Sequence, residues 1–173
     1  MDVLINIKKE YLRNYLGFLF AFEDGAYSVF RHTDFGKLLV ALVKYSDKPV
    51  EHPRSEQTIR IILPKTRSTR TAEKHYLYYT KEDQAKLNDF LEAIFNIDFD
   101  QFFLAGIKLG VEQKEIVHDF IVNRRLVSMV GNIETIKKRS YRTTVDLQKK
   151  ALDKLYKRAH YINITIANYL RAV

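Results

Sequence analysis

Val3-Leu4-Ile5-Asn6-Ile7 is followed, after Lys8 and Lys9, by Glu10-Tyr11-Leu12-Arg13-Asn14-Tyr15-Leu16-Gly17-Phe18-Leu19-Phe20-Ala21-Phe22. The first run alternates as a half-buried strand does, whereas the second places Leu12, Tyr15, Leu16, Leu19 and Phe20 at helical spacing. A strand followed directly by a helix is the expected opening of the fold. Glu23-Asp24-Gly25 is a turn signal, and Ala26 to Phe30 reads as a second strand. Thr33 or Asp34 can cap the next helix, whose stripe of Phe35, Leu38, Leu39, Leu42 and Val43 is expected to end near Tyr45.

Thr58 to Leu63 is a β-branched run stopped by Pro64 and reads as a third strand. Lys65 to Thr71 is polar and reads as a loop, and His75 to Tyr79 as a short fourth strand. Thr80 with Asp83 resembles a capping box ahead of a helix carrying Leu87, Phe90, Leu91, Ile94 and Phe95. Asp98 is expected to cap a separate helix over Phe99 to Leu109, with Gly110 as its left-handed terminus. Gln113 to Asn123 and Ile133 to Tyr141 read as further helices, and a long final helix starts at Thr143 or Thr144. The expected fold class is α+β, with a small mixed α/β unit over residues 1–97 and an α-helical, basic unit over residues 98–173.

Among 173 residues, 46% are hydrophobic and 13% aromatic, which is the composition of a folded chain rather than a disordered one. The chain has no cysteine, which excludes disulfides, thiolate zinc sites and a cysteine nucleophile. No apolar run approaches the length of a membrane span, and the N-terminus lacks the pattern of a secretory signal, so a cytoplasmic protein without a membrane partner is expected. The five histidines show no zinc-ligand spacing, and neither a phosphate-binding glycine loop nor a nucleophile elbow is present. The carboxylate pairs Glu82-Asp83 and Asp98-Asp100 sit at expected helix N-termini, where capping explains them. No enzyme, cofactor or metal site is expected on these grounds.

The net charge of +8 is unevenly placed. Residues 1–136 hold 19 Lys/Arg and 19 Asp/Glu, so of the totals of 29 and 21 the remaining 10 cations and two carboxylates fall in residues 137–173. Clustered cations attract a polyanion and gain from counterion release, which makes nucleic acid, duplex DNA above all, the expected partner. The alternative is a solvated helix face.

Leu109-Gly110-Val111-Glu112-Gln113-Lys114-Glu115-Ile116, preceded by Gly106, resembles the helix-turn-helix of phage repressors at Gly106, Gly110, Val111 and Ile116. In that motif the small residue lets two helices approach, the glycine makes the turn and the apolar residues pin the second helix. In this frame, however, the DNA-reading helix would carry Glu112, Glu115 and Asp119 against Lys114 and His118, a poor match to phosphates. A shifted frame makes residues 113–123 the supporting helix and 133–142 the reader. Lys137, Lys138, Arg139 and Arg142 then contact phosphates, and Arg139 or Ser140 base edges. Two ordinary antiparallel helices with a basic exposed side are the competing arrangement.

In the last helix Lys150, Lys154 and Lys157 form a basic row that could contact DNA phosphates and so extend the nucleic-acid surface, or contact anionic lipid, or only water. Leu152, Leu155, Ala159, Ile162, Ile166 and Tyr169 form a heptad-like seam. That seam supports a second expectation, an interaction or assembly module that forms a homodimer through the C-terminal helix. His75 to Tyr79, with Arg67 and Arg70 near in sequence, could stack on single-stranded bases, although a core strand is the simpler reading. The opening Ile5-Asn6-Ile7-Lys8-Lys9-Glu10-Tyr11, the strand ending Leu63-Pro64, the Gly110 to Asp119 stretch and Thr135-Ile136-Lys137-Lys138 before Tyr141-Arg142 together resemble uncharacterised proteins of Bacteroidetes genomes and mobile elements. That resemblance implies a role in element maintenance or gene control and assigns no residue.

Overall fold

The structure, a computed structural model, describes residues 1–50, 55–64 and 75–126. They form an α+β arrangement in which strands dominate the first part and two helices follow. Strand β1 (Asp2–Asn6) leads to helix α1 (Glu10–Leu19), and β2 (Ala21–Glu23) and β3 (Ala26–Ser28) make a hairpin. Helix α2 (Asp34–Leu42) precedes β4 (Lys44–Ser46), β5 (Thr58–Ile62) and β6 (Tyr76–Tyr78). Helices α3 (Lys81–Lys108) and α4 (Gln113–Asn123) complete the described elements.

The main sheet has the order β1-β5-β3-β2, and β4 pairs with β6 in a two-stranded sheet. β1 and β5 run antiparallel with Val3 opposite Ile61 and Leu4 opposite Arg60, while β3 runs parallel to β5. The alternation of β1 sends Val3 and Ile5 into the core, with Ile7 beyond them. β1 is an edge strand, and α3 reaches its C-terminal end. The Asn6 N–H donates to Gln84 Oε1 (3.2 Å), Asn88 Nδ2 donates to the Asn6 carbonyl (2.8 Å), and the Lys8 N–H donates to Asn88 Oδ1 (3.1 Å). Two helical amides thus satisfy backbone groups that would otherwise invite another strand.

Local signals place the termini. Asp24 (φ 51°) and Gly25 (φ 75°) both occupy the left-handed region that a tight hairpin between β2 and β3 requires. Thr33 Oγ1 accepts the Gly36 N–H at 3.0 Å and caps α2. At α3 the full capping box forms: Thr80 Oγ1 accepts the Asp83 N–H (3.1 Å), and the Asp83 carboxylate accepts the Thr80 N–H (3.3 Å).

Three expected boundaries move. α1 ends at Leu19 rather than Phe22, because Phe20 turns into the core, 6.2 Å from Phe35 between ring centres, and Ala21–Glu23 finds a partner in β3. α2 ends at Leu42, and Lys44–Ser46 leaves the helical path to pair with β6. The helix expected to restart at Asp98 does not: α3 is continuous for 28 residues, so the 97/98 division falls inside it. Leu87, Leu91, Phe95, Phe99 and Phe103 make one buried i, i+4 row through that point, and burying this row stabilises a single helix more than a break would. The compact unit that contains these elements extends over Met1–Gly131, with Asn132–Val173 as a second unit. The expected helices over residues 133–141 and from residue 143 onward lie outside the described residues.

His75 to Tyr79 is core in its alternate residues. Leu77 and Tyr79 are buried, and the Tyr79 hydroxyl donates to the Leu39 carbonyl at 2.9 Å, whereas Tyr76 is exposed. Among the described residues no helix is long and apolar enough to cross a membrane.

Candidate nucleic-acid interface

The expected site residues Lys137, Lys138, Arg139, Ser140, Arg142, Lys150, Lys154 and Lys157 all lie outside the described residues, as do the seam residues Leu152, Leu155, Ala159, Ile162, Ile166 and Tyr169. The described residues supply the helical hairpin that precedes them. Gly110 closes α3 in the left-handed region (φ 76°), and the Val111 N–H returns to the Gly106 carbonyl at 3.1 Å. A Cβ on Gly106 would lie 2.6 Å from two carbons of the Ile116 side chain, itself buried. Gly106 and Ile116 thus mark a close approach of α3 and α4.

α4 packs through Ile116, Val117, Phe120 and Ile121. Its outward residues include Glu112, Lys114, Glu115, His118 and Asp119, and His118 Nδ1 sits 3.6 Å from an Asp119 oxygen. An exposed face with three carboxylates to one lysine repels phosphates.

At the C-terminal end of α4, a polar cluster ties three helices together. The Arg124 guanidinium donates two hydrogen bonds to Asp98, Nε to Oδ2 at 2.8 Å and Nη2 to Oδ1 at 2.9 Å, and the Tyr15 hydroxyl donates to Asp98 Oδ2 at 2.9 Å. The same guanidinium carbon lies 4.2 Å from the centre of Phe18, 5.4 Å from Phe120 and 5.6 Å from Phe102. Aromatic faces and a carboxylate fork thus enclose one cation, an arrangement that suits the planar guanidinium and not a lysine. Burial raises the Asp98 pKa, but the Arg124 hydrogen bonds, the Tyr15 hydroxyl and the Arg124 charge together outweigh it and hold the carboxyl below the ordinary range. Burial first, and the neighbouring Asp98 charge second, push the Tyr15 hydroxyl well above its ordinary value.

Sequence reading missed this cluster. Tyr15 is 83 residues from Asp98, and Arg124 a further 26, so no local spacing connects them. Arg125 follows with a positive φ of 54°, and Leu126 is buried, which fixes how the chain leaves α4. Among the described residues no group of three His, Asp or Glu side chains is placed to hold a metal ion.

No protein-family model, curated protein or solved structure matches this chain.

Proposed function

We propose that this chain binds duplex DNA through the cations of residues 137–157, with the α+β unit as the scaffold from which they are presented. The observation that carries the reading is the charge partition: ten cations and two carboxylates in residues 137–173, against equal numbers of each sign in residues 1–136. Lys137, Lys138, Arg139 and Arg142 are the proposed phosphate contacts, Arg139 or Ser140 the base contacts, and Lys150, Lys154 and Lys157 an extension of the surface. The acidic outer face of α4 supports the frame in which residues 113–123 support and residues 133–142 read. Gene control or maintenance of a mobile element is the role that the resemblance attaches to such binding.

The test is a polarisation titration of full-length protein with a duplex over a range of salt. Affinity should fall steeply as salt rises, with a slope set by the number of phosphates neutralised. Affinity insensitive to salt overturns the reading.

A second reading is an assembly module that self-associates through its C-terminal helix, on the heptad-like seam of Leu152, Leu155, Ala159, Ile162, Ile166 and Tyr169. Light scattering on the full-length chain and on a truncation after Thr144 separates the two. Weaker DNA binding at an unchanged oligomeric state, from loss of Lys150, Lys154 and Lys157, supports the first; a fall in oligomeric state supports the second.

A further inference from the structure

A cleft of about 640 Å³ opens between the tip of the β2–β3 hairpin and the start of β5, with Arg13 of α1 on its wall. We propose that this cleft binds a nucleotide, its base stacked on Phe22 and its phosphate paired with Arg13. The site goes beyond the duplex reading and does not depend on it.

The volume falls in the range of small-ligand sites, about 300–1,000 Å³. Phe22 projects from edge strand β2 with 60% of its surface in water, and its ring sits 4.8 Å from Tyr27, tilted by 52°. Tyr27 is held in turn, because its hydroxyl donates to the Arg13 carbonyl at 3.3 Å. One aromatic ring therefore supports a second, exposed one that offers a face to a planar group. Arg13 Nη1 donates to the Ile7 carbonyl at 2.8 Å, which holds the guanidinium in place on the wall. That bond uses one of five guanidinium N–H groups.

The charges of the cleft select the ligand. Arg60 also lines it but is paired with Asp2 through Nε at 2.8 Å, and Glu56 is the single carboxylate in the lining among the described residues. Arg13 is thus the cation placed for one anionic group, and Ser55 adds a hydroxyl. A planar ring with one phosphate matches this set better than a purely apolar ligand, which would leave the guanidinium unpaired, or a bare anion, which would leave Phe22 unused. The nucleotide can be free or one unit of a single strand, since both present the same base and phosphate.

The test uses full-length protein and a short thymidine oligonucleotide carrying one fluorescent purine analogue that is quenched by stacking. The wild-type protein should quench it, and Phe22→Ala should abolish the quench and weaken binding by about five- to hundredfold. Phe22→Leu keeps apolar bulk and should lose the quench as well, while Phe22→Tyr should keep it. Arg13→Gln should weaken binding and flatten its salt dependence. Competition by adenosine monophosphate at comparable affinity identifies a free-nucleotide site, and competition by the strand alone a strand site. Absence of quenching by the wild-type protein, or equal quenching by wild type and Phe22→Leu, overturns the proposal. The two sites separate cleanly: Lys137→Ala with Lys138→Ala should weaken duplex binding and leave the quench, and the Phe22 variants should do the reverse.

Discussion

Gly106 in α3 and Ile116 in α4 meet so closely that a methyl group on Gly106 would stand 2.6 Å from Ile116 carbons. Ile116 is buried, so its side chain would have to shift within a packed core to make room. Gly106→Ala should therefore cost about 1–3 kcal/mol despite the better helix propensity of alanine. Ile116→Val alone removes one buried methyl and should cost about 1 kcal/mol. Denaturant unfolding of both single variants and the double should show strong non-additivity, the double being more stable than the summed costs allow. Simple additivity would place the close approach elsewhere.

Asp98 should matter to stability in a pH-dependent way. Its pKa is depressed in the folded chain, so the stabilisation it provides is present above the ordinary carboxylate value of about 4 and is lost as pH falls through the lower folded value. Asp98→Asn should destabilise the protein by about 2–3 kcal/mol at neutral pH, because it leaves Arg124 half-buried without its charge partner. The gap between wild type and variant should narrow as pH drops below about 4. Thermal unfolding at a series of pH values checks this, and a gap independent of pH would remove the ion pair from the explanation.

Gly36 should tolerate no side chain. A Cβ there would collide with the Phe30 carbonyl oxygen and lie 2.7 Å from Thr33 Oγ1, so the obstacle is backbone and cap together. Gly36→Ala should cost about 4 kcal/mol or more, seen as loss of soluble protein or of cooperative melting. Thr33→Ala, which removes the cap and the hydroxyl's bond to the Phe30 carbonyl but leaves Gly36 in place, should cost about 1 kcal/mol.

On the proposed DNA surface, cations that neutralise phosphates and a side chain that reads a base should respond differently to substitution. Lys137→Ala with Lys138→Ala should weaken all duplexes alike and lower the salt slope by about one for each phosphate no longer neutralised. Arg139→Ala should instead relax discrimination by about 1–3 kcal/mol at one base pair, if its guanidinium pairs with guanine through two hydrogen bonds. A double lysine variant that stays folded by circular dichroism and keeps full affinity at low salt would transfer the function to the assembly reading.

Elements set by short-range chemistry were legible in the sequence. The alternation of Val3 to Ile7, the Asp24-Gly25 turn, the Thr80–Asp83 capping box and the left-handed Gly110 each express a preference contained in a few neighbouring residues. The roles of Gly106 and Ile116 were legible for a related reason, since the motif encodes a steric relation at fixed spacing. Asp98 was misjudged by the same logic. An aspartate before Phe99 has the local form of a cap, and what overrides that form is a carboxylate fork to Arg124 and a hydroxyl from Tyr15, both remote in sequence.

By itself the sequence determined the α+β class, most helix starts and the confinement of excess charge to the last residues, because composition, periodicity and capping act over a turn or a strand. Only the tertiary structure decided that Ala21–Glu23 and Lys44–Ser46 leave their helices for strand partners, that α3 runs unbroken and that Gln84 and Asn88 hold the end of β1 at Asn6. It alone set Phe22 and Arg13 around one cleft and gathered Tyr15, Asp98 and Arg124 into one cluster. In each case the deciding free energy comes from interactions between residues far apart in the chain, and these leave no period, spacing or local propensity behind.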